Sequence, residues 1–306
     1  MTEAPRPPIA AARSWALAAL APAIWGTSFI IFTQTLPREH PIWVASLRVL
    51  PAGLLLLVLG AGRLPRRAQG RVLVLSLCNI SAMSALLLVS AARLPGGLTA
   101  TLGGLQPAMV TLLAWPILRR SPPPLALGVA ALGAASVALV VGPDPGSFDL
   151  IGLGAGLGAA ASMALGTVLT QRWMGLAPAL TLAAWQLVLG GLVLMPVAAL
   201  IEGAPPVPTT LNLLGLGLLI LPGTTLTYWL WVRGVVQLGA QVAFLGLLSP
   251  IVATLCGAWL LQERLGAHQY TGMVLILGST MIGIHVQGHH ASKPAPRMQE
   301  LSGESL

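Results

Sequence analysis

The sequence predicts an all-α integral membrane protein: ten transmembrane helices built as two inverted five-helix repeats. Three observations predict it. Hydrophobic types make up 56% of the 306 residues and charged types only 8%, against about 25% charged in an ordinary soluble domain. The apolar residues fall into ten continuous stretches, each long enough to cover about 30 Å of hydrocarbon at about 1.5 Å per residue. The second half of the chain also repeats the residue pattern of the first.

In chain order the spans are expected at 14–34, 42–60, 71–92, 97–118, 124–142, 150–171, 179–201, 211–232, 240–262 and 267–286. Links this short leave no soluble domain. A cytoplasmic tail at 1–13, a first repeat at 14–142, a second at 150–286 and a tail at 287–306 complete the division. Helices are preferred to barrel strands because the runs are continuously apolar and rich in Leu, Ala and Gly, whereas strands would alternate over about ten residues. The first run follows Arg6 and Arg13, but it is long and lacks a clear small-residue cleavage site, so it reads as a retained span and not a signal peptide.

The net charge of +8 would point to nucleic acid in a soluble protein; here its placement is topological, and no nucleic-acid partner is expected. With the N-terminus inside, the inner segments hold Arg6, Arg13, Arg63, Arg66, Arg67, Arg71, Arg119, Arg120, Arg172, Arg233, Lys293 and Arg297. The outer links hold only Arg38, Arg93 and Arg264. Twelve against three places both termini in the cytoplasm. Cys78 and Cys256 fall inside spans, far from any metal-ligand spacing, and read as small packing residues.

At an offset of 143, Gly103, Leu105, Pro107 and Thr111 of span four fall on Gly246, Leu248, Pro250 and Thr254 of span nine. Similar offsets pair the stretch around Arg48 with that around Gln186, and Gly26 and Thr27 with Gly166 and Thr167. Five spans separate the copies, so the second enters the membrane from the opposite side. Inverted copies supply two packings of similar energy around a site near the midplane, the basis of alternating access. Pro107 and Pro250 lie in mid-span, where proline removes a hydrogen bond from the residue four earlier, Gly103 or Gly246. They read either as a packing kink or as a hinge with cavity-lining carbonyls.

Pieces in order along nearly the whole chain carry a family resemblance: "WGTSF" in span one, "LRVLPAGLLLL" in span two, "LQPAMVTLLAW" in span four, "WQLVLGG" in span seven, "LTYWLWVRGV" in span eight and "LSPIVATLCGAWLLQERL" in span nine. The chain resembles the EamA-type branch of the drug/metabolite transporter (DMT) superfamily. "RLPGG" and "LRVLPAGLLLL" resemble the subgroup that includes pigment (indigoidine) exporters, which implies efflux across a bacterial inner membrane. One departure stands out: Glu263 closes span nine, but its repeat partner closing span four is Arg120.

Arg48 is the only Lys or Arg placed well inside a span. Snorkelling or pairing with backbone carbonyls explains it structurally; contact with a ligand or gate is the functional reading. No span core holds a carboxylate of the kind that relays protons, which leaves a carrier without that relay, a facilitator or an exchanger. Cavity candidates at helical spacing are Trp25, Thr27 and Ser28 in span one, Asn79 and Met83 in span three, Met163 and Thr167 in span six, and Thr224, Tyr228 and Trp231 in span eight. Interhelical hydrogen bonding or an interfacial aromatic belt accounts for the same residues without a ligand. For Trp25, Thr27 and Tyr228 the family pattern also marks these places.

His285 lies near the end of span ten with His289 and His290 just beyond it, a spacing that places two imidazoles on one helical face, but without neighbouring acids or cysteines they read as a polar tail and not a metal site. Gly152, Gly154, Gly156 and Gly158 form small-residue faces for close packing within the chain, with a homodimer as an alternative use. The expectation is a secondary transporter exporting a small metabolite, such as an amino acid, pigment or drug-like compound. Its partners are the lipid bilayer and a small-molecule substrate, it needs no cofactor, and it is not an enzyme, since no nucleophile with a base is apparent. A non-transporting membrane scaffold and an intramembrane enzyme are the competing classes.

Overall fold

The computed structural model of the protein describes residues 8–94, 99, 102–119, 124–141, 149–260 and 266–291. Backbone amides in hydrocarbon have only other backbone to bond, and an open chain satisfies them as helix. Every regular element among the described residues is helical. In chain order these are α1 (Pro8–Thr35), α2 (Pro41–Val58), α3 (Arg66–Arg93), α4 (Gln106–Leu118), α5 (Pro124–Val141), α6 (Leu150–Arg172), α7 (Ala179–Glu202), α8 (Thr210–Leu238), α9 (Ala240–Leu260) and α10 (Ala267–Ala291). Seven of them, α1 to α3 and α6 to α9, are long and apolar enough to cross a membrane; α4, α5 and α10 contribute shorter apolar stretches.

Their outer faces are apolar as well. Leu112, Trp115, Leu214, Leu218, Val274 and Met281 are all exposed, an arrangement that water penalises and lipid does not. Four helix ends lie five or more residues beyond their expected places: α1 begins at Pro8 rather than 14, α3 begins at Arg66 rather than 71, α8 reaches Leu238 rather than 232, and α10 reaches Ala291 rather than 286. Hydropathy marks only the apolar part of a helix, whereas the hydrogen-bond ladder continues through polar residues such as Arg233 and Gln237. Glu263, Arg120 and the side chains of His289 and His290 lie outside the described residues.

The expected mid-helix position of Pro107 and Pro250 is corrected. Pro107 opens α4 directly after a turn closed by Leu105 N–H on the Leu102 carbonyl. Pro250 is the third residue of the α-helical part of α9, which follows a 3-10 stretch over Ala240–Leu247. A proline in the first turn removes no helical bond. The break is therefore made by the tighter turns before each proline.

Four kinds of pairing organise the bundle: α2 packs on α7, α5 on α10, α1 on both α8 and α9, and α6 on both α3 and α4. The α2–α7 crossing is close. A Cβ on Gly53 would lie 2.7 Å from Val188 N, and a Cβ on Gly191 would lie 2.6 Å from Leu50 Cβ and 2.8 Å from its Cα. Both ends of this pair are clasped. The Trp43 indole donates to the Gly203 carbonyl at 3.0 Å, and the Trp185 indole donates to the Gly62 carbonyl at 3.1 Å. The Glu202 carboxylate ending α7 accepts the backbone N–H groups of Ile42 and Trp43 at 2.7 and 2.9 Å, capping α2 where its dipole is positive. The glycine face of α6 is also used within the chain, since Gly152 meets Leu94 and Gly156 meets Leu102.

Asp149 caps α6 by accepting from Ile151 and Gly152 and pairs with Arg93 at 2.9 Å. The Gly152 N–H, then Arg93, holds this carboxyl below its ordinary value of 3.8. Its contribution to stability is present above that ordinary value and is lost as pH falls through the lowered one. Thermal midpoints of wild type and Asp149→Asn should differ slightly at neutral pH, and the difference should shrink as acidification passes through the carboxyl's lowered pKa.

Candidate functional site

Two wide helical turns aim the central side chains. α3 opens into a π-helical stretch over Leu77–Ala82, and α8 does the same over Leu221–Leu226. In the second, Thr225 Oγ1 reaches the carbonyl five residues back, Ile220, at 2.7 Å. Such turns add one residue and rotate everything that follows. They direct Ser84 of α3 toward α2 and Tyr228 of α8 toward α7.

At the first of these places lies a cavity of about 140 Å³. Trp25, Phe29 and Phe32 of α1 form an aromatic wall, and Met83 and Met163 face it with flexible thioethers. Its polar edge is made by Arg48 on α2, Ser28 on α1, Gln106 on α4 and Ser249 on α9. The Arg48 side chain is 8% exposed and its Nη2 donates to Ser84 Oγ at 3.2 Å. Arg48 Nε, Ser28 Oγ and Gln106 Nε2 are buried with no hydrogen-bond partner. Arg48 therefore does not snorkel; it ends at a cavity.

At the second place the side chains meet one another. Gln186 Oε1 accepts from Tyr228 OH at 2.8 Å and from Asn79 Nδ2 at 2.9 Å. All three side chains are buried, Gln186 completely. The Asn79 carboxamide fits only because position 166 is glycine, since any Cβ there would collide with Asn79 Oδ1. Gln171 of α6 accepts from Ala240 N–H at 2.9 Å nearby and ties the α8–α9 turn to this end.

Of the sequence-derived cavity residues, the structure brings Trp25, Ser28, Met83 and Met163 together on the cavity, with Arg48, Gly103, Gly246 and Pro250. Asn79, Thr167, Thr224, Tyr228, Trp231 and Pro107 do not line it. Asn79 and Tyr228 belong to the lattice around Gln186. Trp231 stacks behind Trp25, centroids 5.2 Å apart and tilted by 52°, and the Trp25 indole is fixed by a 3.0 Å bond to Thr227. The Thr27 hydroxyl donates to the Ile24 carbonyl of its own helix. Thr167 and Thr224 are buried elsewhere in the bundle. Sequence reasoning passed over Gln106 and Gln186; the alignment of Gln186 with Arg48 in the repeat was the signal for the second.

Lipid-facing helices around a small, mostly apolar cavity with a few polar groups at mid-helix depth are the construction of a membrane transporter for small molecules. Comparison with known families agrees. The EamA-like transporter family matches residues 13–142 and again 150–284, and the chain belongs to that family. It is 37% identical over 265 residues to protein PecM of Dickeya dadantii, covering 86% of this chain and 89% of PecM. It is 26% identical to the uncharacterized transporter YvbV of Bacillus subtilis, covering 84% and 86% of the two chains. A solved crystal structure at 15% identity superposes with a TM-score of 0.70 over 92% of this chain and 99% of that one, a likeness of fold. The chain is thus a multi-pass membrane transporter of small compounds, not an enzyme.

Proposed function

We propose that the protein exports a small metabolite, such as an amino acid, pigment or drug-like compound, across the bacterial cytoplasmic membrane by alternating access. Ten spans form two inverted five-helix repeats, and both termini are cytoplasmic. The observation that carries this reading is that one contact is made twice. Arg48 of α2 bonds Ser84 of α3, and Gln186 of α7 bonds Tyr228 of α8, at offsets of 138 and 144. The same offset of 138 relates Gly53 against Val188 to Gly191 against Leu50, a reciprocal contact of the kind a two-fold axis produces. The paired packing of α1 with α8 and α9 and of α6 with α3 and α4 supports it too.

One copy of the contact borders an open cavity and the other is sealed. With the N-terminus inside, the cavity lies toward the outer face and the Gln186 lattice toward the cytoplasm, which is an outward-facing state. Exchanging the two arrangements carries a bound molecule across.

Counterflow in proteoliposomes tests this, screening labelled amino acids and small aromatic metabolites with and without a proton gradient. Saturable exchange is expected in wild type, reduced at least about tenfold in Tyr228→Ala, which removes the sealing hydroxyl and ring. Folded protein that moves no compound under any gradient would return the scaffold reading to first place.

A further inference from the structure

We propose that the cavity takes a small monocarboxylate bearing a single apolar ring, with Arg48 as its counter-ion; this rests on the carrier reading above and names its substrate class. A guanidinium at this depth in a membrane is costly unless something neutralises it. Among the described residues the one ion pair is Arg93–Asp149, and the hydrogen bond of the Arg48 guanidinium is to the neutral Ser84 hydroxyl. Its Nε is buried and unpartnered, as are Ser28 Oγ and Gln106 Nε2 on the same cavity. A cation flanked by an amide donor and a hydroxyl is the set a carboxylate satisfies, since its two oxygens accept from a planar guanidinium side by side.

The remaining walls fix the rest of the molecule. Among the described residues no carboxylate lines the cavity to pair a substrate ammonium, and one arginine balances one negative charge, so a monoanion fits better than a zwitterion or a phosphate dianion. Trp25, Phe29 and Phe32 with Met83 and Met163 offer an apolar slot. The volume of about 140 Å³ is close to that of a cavity of about 150 Å³ that takes up benzene. A monoanion also accounts for spans without a proton-relaying carboxylate. An inside-negative potential drives an anion outward by itself, about fifty-fold in concentration per 100 mV.

Three matched probes separate these features: phenylacetate, phenylacetamide without the charge, and phenylglycine with an added ammonium. Their dissociation constants are measured by calorimetry on the full-length protein in phosphatidylcholine nanodiscs, beside the counterflow assay. Phenylacetate should bind at least about tenfold more tightly than the other two. Arg48→Gln should bring phenylacetate down to the level of phenylacetamide, while Arg48→Lys, which keeps the charge, should retain most of the preference. Equal binding of phenylacetamide or phenylglycine, or a preference that survives Arg48→Gln, overturns the proposal. If none of the three binds while counterflow proceeds with another compound, the substrate class is wrong and the carrier reading stands. If neither binding nor counterflow is found, the carrier reading fails and this proposal with it.

Discussion

Gly191→Val should leave little correctly folded protein. A Cβ at this position falls 2.6 to 3.0 Å from the Cβ, Cα and N of Leu50, and the backbone of a helix cannot step aside as a side-chain tip can. Overpacking costs about 1–3 kcal/mol where side chains adjust and more where they cannot. Here α2 and α7 would have to separate along a tightly packed crossing, weakening the Trp43, Trp185 and Glu202 clasps at its ends. Size-exclusion profiles and thermal midpoints in detergent check this. Gly53→Val, on the reciprocal contact, should be as damaging, and Gly154→Val, with nothing within 4 Å of its Cβ, should be nearly silent. A wild-type midpoint for Gly191→Val would mean the helices do not cross there.

Gln186→Leu is expected to be the most damaging change to transport that keeps the bundle folded. Leucine fills similar space but orphans the buried Tyr228 hydroxyl, at about 1–3 kcal/mol, and leaves the Asn79 amide only its longer 3.4 Å bond to Thr170. Under the alternating access proposed above, the lattice exists only in the sealed arrangement, so that cost falls on one side of the exchange. A shift of about 1–3 kcal/mol corresponds to roughly 5- to 150-fold in the populations of the two states. Counterflow should drop by about tenfold or more, and the midpoint should fall. Adding Tyr228→Phe to Gln186→Leu should recover part of the lost stability, since it removes one orphaned donor. A double variant whose losses simply add would show that Gln186 and Tyr228 do not act together.

Much of the site was legible in part only. Helical spacing grouped Trp25, Ser28, Met83 and Met163, and the structure places all four on the cavity. Asn79, Thr167, Thr224, Tyr228 and Trp231 do not line it; in α8 the wide turn over Leu221–Leu226 rotates the face that follows, which carries Tyr228 and Trp231 away. Tighter turns, not wide ones, put Pro107 and Pro250 at the start of a helix instead of its middle.

Composition, run length and the order of the motifs by themselves determined that this is a helical membrane transporter, because hydrocarbon admits few backbone structures and reads hydrophobicity directly. Only the tertiary structure decided that Arg48 ends at a cavity while Gln186 is held between Asn79 and Tyr228. The surroundings of each side chain depend on how helices distant in the chain pack against each other, which no run of residues records.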